Sequence, residues 1–189
     1  MEILESPKSE NDLNILLQEV NLSSFIGQLT EEELRQYITN RTIYFFYDDK
    51  EVVGFGAWEA INSEWTEIGP FYNLERYRGK GLGTLIVQHL VMVNAGKKLY
   101  AVTKNSIVKK MLVKFGFQNV SVLELPWPIY GHLMSKLSLS RLFNLGRKLS
   151  LEPVAQFIRT TEPVQLEAEK STLPAIPLPE FREGESAAI

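Results

Sequence analysis

Arg78-Gly79-Lys80-Gly81-Leu82-Gly83-Thr84 sits between a strand-like run and an apolar-striped segment. Three glycines let backbone N–H groups approach a ligand closely, and a helix N-terminus points its partial positive charge at the same place. Arg78 and Lys80 add full charges, so the stretch has the make-up of an anion cradle sized for phosphate or pyrophosphate. Two other phosphate-binding patterns do not fit. The dinucleotide fingerprint needs G-x-G-x-x-G and an acidic residue about 20 positions on. Here the glycines fall as G-x-G-x-G, and Leu99 or Tyr100 stands at the far point. A P-loop needs G-x-x-x-x-G-K-[ST], whereas Gly79-Lys80 is followed by Gly81.

Working outward, the cradle opens a helix to about residue 94, with Leu82, Leu85, Ile86, Leu90 and Val93 on one face and Gly96 ending it. Upstream, strands are predicted over 1–5, 42–47, 51–60 and 65–73, the middle two joined by Asp48-Asp49-Lys50 as a hairpin. Ser9-x-x-Asp12 and Thr30-x-x-Glu33 read as capping boxes opening two helices between the first and second strands. Gly69-Pro70 interrupts the fourth strand, which must bulge or lose a ladder bond there. Downstream, a strand over 98–103 precedes a helix capped by Asn105 or Ser106, with Ile107, Val108, Met111, Leu112 and Phe115 turned inward and Gly116 as its stop. Strands over 117–123 and 130–136, joined at Pro126-Trp127-Pro128, are expected to close an antiparallel pair. The order is mixed α+β. Residues 138–159 read as an amphipathic basic helical extension, and 160–189 as a Pro- and Glu-rich disordered tail.

Composition narrows the chemistry. The 189 residues include no cysteine, which excludes disulfides, cysteine nucleophiles and thiolate metal sites. With only His89 and His132, a histidine-rich metal centre is not expected, and no metal is assigned. The formal charge of −3 conceals a split: residues 1–75 carry 15 acidic and 4 basic side chains, and residues 76–149 carry 1 and 13. Such blocks suit two ligands of opposite charge, or else pair with each other on folding. The N-terminus lacks a signal-peptide pattern and no apolar run has transmembrane length, so a cytoplasmic chain without stable membrane insertion is expected.

Arg78-x-x-Gly81-x-Gly83 resembles the Arg/Gln-x-x-Gly-x-Gly/Ala motif at the start of the central helix of the GNAT family of acyl-CoA-dependent N-acetyltransferases. Asn105 opening the next helix and Gly116-Phe117 closing it resemble a second family feature, and the element order over residues 1–137 agrees. The resemblance implies an N-acetyltransferase domain over 1–137, with a central, mostly antiparallel, splayed sheet flanked by helices. It implies acetyl-CoA as co-substrate, its pyrophosphate held at Arg78, Gly79, Lys80, Gly81, Leu82, Gly83 and Thr84. The pantetheine arm would lie in the gap beside the broken strand, along Phe71, Tyr72 and Asn73, with Asn105 bonding to it.

The reaction it implies is direct attack of an amine on the thioester. Acetyl transfer needs a base for the amine, polarisation of the carbonyl and a proton for the leaving thiolate. The family's base is often a glutamate on the splayed strand, which makes Glu67 the first choice and Glu64 the second. A backbone N–H near residues 71–73 would polarise the carbonyl. The thiolate acid is commonly a tyrosine five residues before the closing Phe, and here that position is Leu112. Ser106, Tyr72, Tyr130 or water is left to fill the role. Asn73 and Glu75 also depart from the family's usual Val and Pro. Acidic groups at Glu31–Glu33, Asp48, Asp49, Glu59, Glu64 and Glu67 suit a cationic acceptor, either a small molecule or a peptide or protein amine. No nucleic-acid partner is expected, and a homodimer is compatible with the resemblance. The alternative is a non-catalytic acyl-CoA-binding module of the same fold, which Leu112 favours.

Overall fold

A computed structural model describes residues 1–22, 29–136 and 154–160. Its seven-stranded sheet runs, in order across, Glu2–Leu4, Ile43–Asp48, Glu51–Ala60, Trp65–Asn73, Lys98–Thr103, Ala155–Arg159 and Gln118–Val120, antiparallel except between the fourth and fifth. The first four strands are β1 (Glu2–Leu4), β2 (Ile43–Asp48), β3 (Glu51–Ala60) and β4 (Trp65–Asn73). Between β1 and β2 come α1 (Glu10–Leu22) and α2 (Glu31–Thr39). Both expected capping boxes are formed: Ser9 and Asp12 exchange backbone-to-side-chain bonds of 3.0 and 3.3 Å, and Thr30 and Glu33 do the same. Leu13, Leu16, Val20 and Leu34 from these helices bury themselves on Ile43, Phe45, Tyr47, Phe55 and Tyr72.

α3 (Leu82–Val93), β5 (Lys98–Thr103) and α4 (Ser106–Lys114) follow. α3 and α4 lie on the opposite face, where Ile86, Leu90 and Leu112 pack with Ile68, Leu99 and Phe157. Ile107 faces solvent rather than the core. α3 comes so close to β3 that a Cβ on Gly56 would lie 2.6 Å from a methyl carbon of Ile86. That contact fixes where the helix, and the cradle at its start, can sit.

The C-terminal part departs from the sequence reading in three places. β6 is short (Gln118–Val120), because Ser121-x-x-Glu124 forms a capping box and turns the chain into a single 3-10 turn. The expected strand over 130–136 is instead a helix, α5 (Trp127–Lys136). Ile129 and Leu133, four residues apart, reach the same cluster around Trp65 and Tyr100, and Pro128 falls in the first turn, where its missing N–H costs nothing. The strand that completes the sheet is β7 (Ala155–Arg159), inside the stretch expected to be helical. Its side chains alternate: Phe157 enters the α3/α4 core, while the buried Gln156 accepts a hydrogen bond from Tyr100. That period of two, just after Pro153, is a strand signal. The sheet therefore runs past residue 137. Residues 137–153 and the tail from 161 lie outside the described residues.

Candidate active site

The splay expected at Gly69-Pro70 is present. Two β4 residues, Gly69 and Pro70, stand opposite the single β3 residue Ala57, a β-bulge, while β4 otherwise stays paired with β3 to Asn73. On its other side β4 pairs with β5 only over Trp65–Lys98, Thr66–Leu99 and Glu67–Tyr100. Beyond Glu67 and Tyr100 the strands part, and the backbone groups of β4 that face β5 have no ladder partner among the described residues. The gap opens toward the ends of β4 and β5, where the starts of α3 and α4 stand.

At the start of α3, Gly81 is the N-cap at φ 85°, ψ −8°, and no side chain caps the helix. Its first-turn N–H groups are thus left for a ligand. Gly79 is also left-handed (φ 76°), and a Cβ on either glycine would meet nothing within 4 Å. The space in front of the helix is open, as an anion cradle requires. Lys80 Nζ lies 5.0 Å from the Tyr77 ring centroid. The Arg78 guanidinium donates to Tyr72 Oη and to Glu75 Oε1, each at 3.3 Å. Asn73 points at the same helix start, its Oδ1 being 3.7 Å from where a Gly83 Cβ would be. Asn105 caps α4 through Oδ1, which accepts from Ile107 N–H at 2.9 Å and Val108 N–H at 3.4 Å. Its amide nitrogen is the part left to meet a ligand.

The residues named from the sequence as possible thiolate acids fall in different surroundings. Leu112 is fully buried, packed in the core between α3, α4 and the sheet. Tyr72 belongs to the α1 side, and its hydroxyl donates to Glu19 O at 3.3 Å while accepting from Arg78. Tyr130 stacks on the exposed Trp127 ring at 5.9 Å. Ser106 is exposed in the first turn of α4.

Glu67 stands on the last rung before the strands part, on the face away from α3 and α4. α5 brings two side chains to it. His132 Nε2 and Lys136 Nζ both reach Glu67 Oε2, each at 2.8 Å. Lys136 Nζ also contacts Glu59 Oε2 of β3 at 2.8 Å. Glu67 Oε1 accepts no hydrogen bond among the described residues. Burial alone would raise the Glu67 pKa, but the His132 hydrogen bond and the Lys136 charge outweigh it, so the carboxyl lies below its ordinary range. Burial pulls Lys136 down, and Glu67 with Glu59 more than restores it, leaving it raised. Tyr37 of α2 faces the same group, and burial, with these carboxylates, pushes it up to about 12.

Glu67 is the residue expected here from the sequence, whereas His132 and Lys136 are not. The missed signal is Ile129, His132, Leu133 and Lys136, spaced i, i+3, i+4, i+7 along one helix face. Glu59, Glu67 and His132 have donor atoms within 4.8 Å of one another, a set able to hold a metal ion. The Lys136 ammonium already bridges the two carboxylates, so a divalent ion would have to displace it. Several members of the basic block also pair with the acidic block, Arg76 with Glu51 and Lys98 with Glu64 among them. The charge split is thus partly internal pairing.

The Acetyltransferase (GNAT) family model matches residues 14–117, more than half of the chain. The chain belongs to that family of acetyltransferases. Among solved structures it is similar to Rv2747 from Mycobacterium tuberculosis in complex with CoA and NLQ (13% identity, TM-score 0.66, 86% of this chain and 100% of that one). It is also similar to N-acetylglutamate synthase from Neisseria gonorrhoeae complexed with coenzyme A and N-acetyl-glutamate (16%, 0.63, covering 84% of this chain). This chain spans only 34% of that synthase's length. A third is Arabidopsis thaliana Naa50 in complex with the bisubstrate analogue CoA-Ac-MVNAL (13%, 0.56, 85% and 98%). At these identities the likeness is one of fold. No curated protein matches the sequence. Among the described residues no helix is long and apolar enough to cross a membrane.

Proposed function

We propose that the chain transfers an acetyl group from acetyl-CoA to a primary amine by direct attack, with Glu67 as the base. The observation that carries this reading is the Glu67 carboxylate on the last rung before β4 and β5 part. One oxygen is anchored by His132 and Lys136 and the other is without a protein partner among the described residues. A carboxylate held in this way is oriented and ionised, ready to take a proton on Oε1 from an amine or a bridging water.

Acetyl-CoA supplies the acyl group already activated as a thioester. The open N–H groups of residues 82–84 and the Arg78 charge bind its pyrophosphate. The β4 backbone beyond Glu67, along Phe71, Tyr72 and Asn73, holds the pantetheine arm, and one of its N–H groups polarises the carbonyl. Asn105 adds a side-chain donor from α4. Of the named acids, Ser106 is the one at the mouth of the gap, so it or water protonates the thiolate. The acceptor is a primary amine, as a small molecule or on a peptide or protein. Glu59 and Glu67 supply the negative charge that draws it in.

The buried Leu112 favours a second reading, in which the same cleft binds acyl-CoA without turnover. Free-thiol release from acetyl-CoA, followed across a panel of primary amines, separates the two. The melting temperature with and without coenzyme A is read alongside. Amine-dependent thiol release supports transfer. Stabilisation with no release across the panel leaves the binding module, and no stabilisation removes both readings.

A further inference from the structure

We propose that Lys136 is itself an acceptor, acetylated on Nζ within its own chain. This rests on the reading of Glu67 as the base of an acetyl-CoA-dependent transferase. Any external amine must bring its ammonium to Glu67, and the ε-ammonium of Lys136 is already there, 2.8 Å from Oε2. Lys136 Nζ is also 2.8 Å from Glu59 Oε2, so it lies between the two carboxylates that suit a cationic acceptor. Glu67 occupies the last rung shared by β4 and β5, which puts the amine at the inner end of the gap assigned to the pantetheine arm. Lys136 is the last residue of α5, held on a long side chain and only partly buried. The β5 neighbour Lys98 and the adjacent Lys97 point elsewhere, to Glu64 and to the Ser63 carbonyl.

The step balances with acetyl-CoA alone. The ammonium gives one proton to Glu67, and the freed nitrogen lone pair attacks the thioester carbonyl carbon. An N–C bond forms and the C–S bond breaks. The thiolate leaves as coenzyme A and takes up a proton, and the acetylated nitrogen loses its second proton as the amide forms. Nothing is oxidised or reduced. The amide carries no charge, so Glu59 and Glu67 are then left without their internal cation and the slot is open to an external ammonium.

The test uses the full chain with acetyl-CoA and no added amine, followed by mass spectrometry of every lysine over time. Positioning gives an intramolecular reaction a large effective concentration, so Lys136 should gain an acetyl group at least about tenfold faster than exposed lysines such as Lys97, Lys110 and Lys114. Its rate constant should not depend on protein concentration, its advantage should vanish in the urea-unfolded chain, and Glu67→Gln should abolish it. Should Glu67→Gln fail to fold, the comparison among lysines of the wild-type chain and the concentration series still decide. Acetylation of Lys136 no faster than at exposed lysines, or at a rate that rises with protein concentration, overturns the proposal. If small amines are turned over while Lys136 stays unmodified, only this inference falls. If coenzyme A fails to raise the melting temperature, the coenzyme reading falls and takes the inference with it.

Discussion

The two halves of the site are built in opposite ways. The cradle, residues 78–84, is one unbroken stretch, and its chemistry comes from backbone N–H groups, left-handed glycines and adjacent charges. The acceptor side is assembled from α2, β3, β4 and α5, and its chemistry is a network of side chains in which Lys136 meets Glu67, 69 residues back, and Glu59, farther back still. A contiguous site depends on local conformation. A dispersed one depends on every element arriving, and its groups set one another's charge state. Substitutions should therefore separate coenzyme binding from proton transfer.

The largest expected effect is at Glu67. Glu67→Gln removes the base and should lower amine-dependent thiol release by about 10²–10⁴, the usual worth of a positioned general base. The coenzyme-induced rise in melting temperature should stay as in wild type. A variant with full turnover would take Glu67 out of the mechanism.

Lys136→Met comes next and probes the network. It strips the cation from between two carboxylates, a loss of about 3–5 kcal/mol when such a pair is fully buried. Because the three side chains are partly exposed, about 1–3 kcal/mol is expected here, read by urea denaturation. The variant also has a pH signature. Glu67 is depressed in the fold, so its contribution is present above the unfolded value near 4.5 and is lost as pH falls through the lower folded value. Without Lys136 that folded value rises, and the acid limbs of stability and turnover should both move to higher pH. Unmoved acid limbs would mean that Lys136 does not govern Glu67.

Two smaller changes test the other half. Leu112→Tyr places the family's common acid at its usual position, but this side chain lies in the α3/α4 core. Overpacking should cost about 1–3 kcal/mol with no gain in thiol release. A large gain would show that α4 presents this position to the gap. Gly81→Val forces a β-branched residue to φ near 85°, at a cost of about 1–2 kcal/mol, and should also weaken coenzyme binding. Unchanged coenzyme stabilisation would mean that the helix start does not hold the pyrophosphate.

The same contrast explains what could be read from the sequence. Strand β4 (Trp65–Asn73) and β5 (Lys98–Thr103) match their expected ranges, and the caps at Thr30 and Asn105 are formed, because each depends on neighbours within a few residues. The break at Gly69-Pro70 pointed to the bulge for the same reason. Past residue 120 the local signals conflicted. Pro126-Trp127-Pro128 reads as a turn and the residues after it as a strand, whereas Ile129, His132, Leu133 and Lys136 have helical spacing. The helix won because Ile129 and Leu133 cover Trp65 and Tyr100, a tertiary contact that propensity does not report. β7 was harder still, since it pairs with β5 from more than 50 residues away. Glu67 is legible from its strand, but its partners are not, because His132 and Lys136 reach it only when residues 127–136 form a helix.

The account's central claim is that the coenzyme and the proton are handled by separate groups. Its most direct test is a coenzyme A titration of the melting temperature in wild type, Arg78→Glu and Glu67→Gln, run side by side. The predicted result is a saturating rise in wild type, the same rise at the same concentrations in Glu67→Gln, and none in Arg78→Glu. Equal stabilisation of all three, or loss in Glu67→Gln with retention in Arg78→Glu, would contradict it.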